Sequence, residues 1–135
     1  MEIEIFTLCD FAQDVMGKMN IIGTFDTVHL PQFPFVLPLA CVAIKLRFGK
    51  SEEGEHNFKL QMLNTEGTPV FQPIEGNFNF KVPPQQDYMA IPLVFNIGQM
   101  NFTKPEKFAF ELYIDGEWVS GLHLNVVKAQ QPGQQ

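Results

Sequence analysis

The chain has 135 residues, 45% of them hydrophobic and 18% charged, with a net charge of −6. One domain of that length buries roughly two-thirds of its unfolded surface, so its core needs neither disulfides nor metal. The acidic balance, with no lysine or arginine cluster, excludes the electrostatic footprint of a nucleic-acid or anionic-membrane binder.

The opening Met1-Glu2-Ile3-Glu4 has no basic leader region, and the apolar run 33–44 is broken by Pro34 and Pro38. That run is too short to span a bilayer, so a cytoplasmic protein is expected. Cys9 and Cys41 then read as two buried thiols, with a single disulfide as the alternative.

Residues 2–11 alternate, with Ile3, Ile5, Cys9 and Phe11 on one side and Glu2 and Glu4 on the other. This is the period of a half-buried strand. A turn around Gly17-Lys18 leads to a second strand, 19–30, which carries Ile21 and Ile22 and has Gly23 inside it. Glycine there marks a bulge or a close backbone approach. Pro31, Pro34 and Pro38 direct the next segment across between sheets or along an edge.

From Val42 the even positions turn inward, and Phe58, Leu60 and Met62 repeat that phase. Residues 41–63 therefore read as a hairpin, with Glu52-Glu53-Gly54-Glu55 as its solvated tip. A contiguous charge run lacks the staggered oxygens of a calcium loop. A strand over 69–82 is interrupted by Pro73 and Gly76, which suits an edge or a bulge. Another strand covers 88–97.

Asp115-Gly116 between apolar alternations predicts a two-residue type I′ hairpin that sets Tyr113 opposite Trp118 and Leu112 opposite Val119. Leu122, Leu124 and Val126 then fall out of phase. One extra residue near Ser120-Gly121 restores them, so a bulge is predicted there. The whole reads as one domain, 1–129, followed by a polar, flexible tail, 130–135.

Catalytic chemistry has no constellation to rest on. His29, His56 and His123 are scattered, neither cysteine has a ligand-spaced neighbour, and Asp26 and His29 fall on opposite faces of a strand. Neither metal nor cofactor is expected. Ser120 does not converge with His123, and no glycine-flanked nucleophile is present. Asp10, Asp14 and Asp26 remain as carboxylates near the 17–34 stretch, and turn caps or solvated charges describe them better than an acid–base pair.

The pattern Cys9-Asp10-Phe11-Ala12, Gly17-Lys18, Ile21-x-Gly23-x-Phe25-Asp26 and Pro31-x-Phe33-Pro34 resembles a bacterial family of small single-domain proteins known only as a domain of unknown function. The resemblance covers nearly the whole chain and implies no activity. A weaker similarity, over 105–110, is to immunoglobulin-like domains. Phe108 stands where such domains often carry an anchoring tyrosine, so the likeness concerns architecture alone.

The sequence therefore predicts an all-β, two-sheet sandwich, immunoglobulin-like in outline, of seven to nine strands, with a closed barrel as the alternative. The function expected is a non-catalytic protein-interaction or assembly module. Tyr113 and Trp118 would form its surface for a protein partner or for self-association. A structural component of a larger complex is the second reading. A hydrolase using carboxylates near Asp26 is the third.

Overall fold

The computed structural model describes residues 1–130. The tail expected at 130–135 therefore lies, from 131 on, outside the described residues. Nine strands run in chain order: β1 (Glu2–Val15), β2 (Lys18–Phe25), β3 (Thr27–Leu30), β4 (Phe35–Gly49), β5 (Gly54–Leu63), β6 (Ile74–Phe80), β7 (Tyr88–Phe102), β8 (Glu106–Ile114) and β9 (Glu117–Lys128). They form a four-stranded sheet, β2-β1-β4-β7, and a five-stranded sheet, β3-β9-β8-β5-β6. This is the expected two-sheet sandwich, at the upper end of the expected strand count. No helix among the described residues is long and apolar enough to cross a membrane.

The main core fills the space between the sheets. Val42, Ile44, Leu46 and Phe48 of β4 face Leu60 and Met62 of β5 and Phe110 and Leu112 of β8, all almost fully buried. Alternation along each strand produces this, since period-two apolar positions share one face. At one end the rings of Phe48, Phe78 and Phe80 surround His56, with the Phe48 and His56 centroids 4.9 Å apart. Phe58 lies over Gly76, where a Cβ would come within 2.6 Å of the ring.

Ala40–Ile44 is buried on both faces. Cys41 and Ala43, alternating with the core residues of β4, join Cys9 and Ala12 in a second cluster, with Met19, Ile21 and Val94 packed on it. β1 also approaches β7 although β4 lies between them. The four-stranded sheet thus coils, and the β1–β2 hairpin bends over its outer face. Small side chains at Cys9, Ala12, Cys41 and Ala43 allow that approach.

Four features differ from the sequence reading. The strand expected over 19–30 breaks at Asp26. β2 pairs with β1, whereas β3 enters the other sheet parallel to β9. The Asp26 carbonyl accepts the Asn125 N–H at 2.9 Å and secures that switch.

The hairpin expected over 41–63 does not form either, since β4 and β5 lie in different sheets. A 3-10 turn, Lys50–Glu52, carries the chain across. Its acidic run is structural: the Glu52 carboxylate accepts the Gly49 N–H, and the Glu53 carboxylate accepts that of Val82. Like phase in two successive strands is equally compatible with facing sheets, and only the connection decides between them.

The strand expected over 69–82 is shorter, Ile74–Phe80, and it is an edge strand as Pro73 implied. Finally, the bulge in β9 exists one residue earlier than expected. Tyr113 pairs with Trp118 and Leu112 with Ser120, so Val119 is the extra residue.

Candidate interaction face

Strand register assembles a line of side chains across the outer face of the five-stranded sheet. Glu75 pairs with Lys59, Lys59 with Tyr113, and Tyr113 with Trp118, so residues from β6, β5, β8 and β9 stand side by side. The two predicted residues are brought together as expected. Their environments differ, however: Tyr113 is half-buried, and Trp118 is 59% exposed.

Local contacts hold both rings. Lys59 Nζ sits 4.4 Å from the Tyr113 ring centroid, a cation–π contact. The Tyr113 hydroxyl donates to Glu111 Oε2 at 3.0 Å, and Gln61 Nε2 donates to the hydroxyl at 3.4 Å. The Glu111 carboxylate raises the pKa of Tyr113 and keeps its proton in place. No ring pairing joins Tyr113 to Trp118 among the described residues. The indole instead leans over Gly121, where a Cβ would lie 3.7 Å from Cζ2. The bulge at Val119 brings Gly121 into that position. Beside Tyr113 is a shallow depression of about 390 Å3, with Asn57, Lys59, Glu75 and Asn77 in its wall.

His56 fixes the end of this face. Its Nδ1 lies 2.6 Å from Asp115 Oδ2 and its Nε2 2.6 Å from the Glu52 carbonyl oxygen. Both partners are acceptors, an arrangement that favours the protonated ring, with a donor at each nitrogen. The Glu52 carbonyl and then the Asp115 carboxylate raise its pKa. The pKa of Asp115 is lowered in turn, chiefly by His56. Asp115 also takes the Asn57 N–H on Oδ1 at 3.0 Å. It adopts φ 53° and Gly116 φ 80°, the left-handed pair that a type I′ turn requires. The aspartate expected only as a turn residue thus ties the hairpin to β5 and to the 3-10 turn. Sequence reasoning missed this, because His56 and Asp115 are 59 residues apart.

The carboxylates near the 17–34 stretch do not converge. Asp10 borders a cleft with His29, whereas Asp26 borders a neighbouring depression with Thr7 and Thr24. Asp26 Oδ1 accepts the Thr27 hydroxyl at 2.9 Å. Asp14 pairs with Met19 farther out on the β1–β2 hairpin. No group of three His, Cys, Asp or Glu side chains could hold a metal among the described residues.

Cys9 and Cys41 are buried free thiols directly opposite each other on β1 and β4. The Cys9 thiol donates to the Cys41 carbonyl, and burial pushes its pKa up to about 11. Such a thiol is a packing group and not a nucleophile.

Fold and face together define a nine-stranded β-sandwich whose five-stranded sheet carries Tyr113 and Trp118 on its outer surface. The chain belongs to a family of unknown function, DUF6941, whose model matches residues 4–127. That agrees with the uncharacterised domain family its motifs resemble. No curated protein matches it. Among solved structures it is similar to a Bacteroides fragilis protein named as a beta-galactosidase, at 12% identity and a TM-score of 0.38. The overlap covers 90% of this chain and 16% of that one, and it carries no weight for fold or function.

Proposed function

We propose that the protein is a non-catalytic interaction module that presents the outer face of β5, β8 and β9 to a protein partner. One observation carries this reading. The chain's sole tryptophan is 59% exposed, its indole over Gly121 and its strand position paired with Tyr113, whose ring Lys59, Glu111 and Gln61 hold. Burying an indole and a phenol gives large contact area at little conformational cost, which is why such residues anchor interfaces.

The test is an affinity capture from native lysate with light scattering, comparing wild type with Tyr113→Ala, Trp118→Ala. A partner, or a self-assembled species, lost in the folded double variant supports the reading. Equal capture by both folded proteins refutes it.

A role as a structural component of a larger assembly is favoured by a different observation. Phe11, Val15, Met16 and Ile22 expose apolar surface on the β1–β2 hairpin, Met16 at 96%. In that case Met16→Lys, Ile22→Lys abolishes self-association, whereas Trp118→Ala leaves it unchanged.

A further inference from the structure

The ladder between β1 and β4 ends at the Cys9–Cys41 pair. Beyond it the β1–β2 hairpin departs from the sheet plane, and β4 from Phe35 to Ala40 keeps partners only on β7. That stretch presents an unpaired strand edge, an ordinary template for an added strand. Pro38 lies in its middle and turns its carbonyl toward Gly98 of β7, so its missing N–H interrupts that ladder and not the free edge.

A cleft of about 440 Å3 opens where the hairpin departs. Leu37 and Leu39 of β4, Phe25 of β2 and Val28 of β3 give it apolar walls. Leu39 is 54% exposed, so part of this surface awaits cover. Asp10 stands on the lip, its carboxylate against Gly23, where a Cβ would come within 2.4 Å of Oδ2. Gly23 takes φ +70° there, so backbone freedom and the lack of a side chain both serve to place the acid. The adjoining depression shares Thr24 and Phe25 and adds Asp26. Neither lining contains lysine or arginine, and His29 is the one basic side chain there.

We infer that this cleft receives an extended segment of a partner protein, added as a strand to the β4 edge. The segment has apolar side chains at alternate positions for Leu37 and Leu39, and a lysine or arginine for Asp10. An extended backbone supplies the missing hydrogen bonds, alternate side chains enter the apolar walls, and a cation answers Asp10. The cleft is lined by β1, β2, β3 and β4 and shares no residue with the aromatic face, so this inference stands independently of it.

The probe is a short fluorescein-labelled peptide alternating valine and lysine, followed by anisotropy against the full chain. Binding is expected at low salt and is weakened about tenfold by Leu39→Ser with its salt dependence retained. Asp10→Asn should weaken it and flatten the salt dependence. The same peptide with alternate amides N-methylated should not bind. Both substituted positions are exposed, and unchanged melting temperatures verify the fold. The inference is overturned by an absence of binding at low salt, by equal binding of the N-methylated peptide, or by equal affinity of both variants.

Discussion

His56 joins three pieces of chain through one ring: β5 that carries it, the 3-10 turn through the Glu52 carbonyl, and the β8–β9 turn through Asp115. A group whose folded pKa is raised above its ordinary 6.5 contributes stability that is whole below that pH. The contribution is lost as pH rises through the raised value. Asp115 behaves oppositely: its contribution is present above its ordinary 3.8 and lost as pH falls through the depressed value. The bridge is therefore strongest between the two. Wild type should lose about 1 kcal/mol of stability relative to His56→Phe between pH 6 and pH 9, solvent at the half-exposed Asp115 keeping the figure modest. Thermal unfolding of both proteins across that range measures it, and parallel curves would remove the charged bridge.

Among the elements, β9 best shows how a local irregularity makes a surface. Without the extra residue at Val119, Leu122, Leu124 and Val126 would face solvent, because a one-residue slip exchanges the two faces. With it, those residues return to the core, and Gly121 arrives under the Trp118 indole. An added Cβ at Gly121 would lie 3.1 Å from the Phe110 carbonyl oxygen as well as 3.7 Å from the indole. The indole distance is ordinary contact, but the carbonyl one is not, so Gly121→Ala should cost about 1 kcal/mol, and the backbone shift that relieves it should displace the ring above. Because Trp118 is the only tryptophan, its fluorescence reports this directly: emission should shift to the red and acrylamide quenching should increase. An unchanged spectrum in the folded variant would show that the glycine does not position the ring.

Across the whole molecule, stability and the proposed binding surface are separate. Phe110 is fully buried between the sheets, and Phe110→Ala should cost about 3–5 kcal/mol by lost burial and a residual cavity. That is a large share of the roughly 5–15 kcal/mol typical of a domain. Trp118→Ala, on the outer face, should stay within about 0.5 kcal/mol. Guanidinium unfolding distinguishes them, provided the denaturant slopes agree. A strongly destabilised Trp118→Ala would make the indole a packing residue and would weaken the functional reading.

The fold class was legible because strand periodicity is local: the alternation in 42–48 and 108–112 marks buried faces whatever the neighbours are. In 2–11 it did not, since the register shifts between Ile3 and Ile5, Leu8 and Cys9 are both buried, and Phe11 is exposed. The Asp115-Gly116 hairpin, its Tyr113–Trp118 pairing and the need for a bulge were legible for the same reason, since turn type and register act within a few residues. Tertiary structure alone decided the rest. It assigned β4 and β5 to facing sheets, carried β3 across at Asp26, bent the β1–β2 hairpin over Cys41, and brought His56 to Asp115. Each of these depends on contacts between residues far apart in the chain, where alternation states which face is buried but not against what.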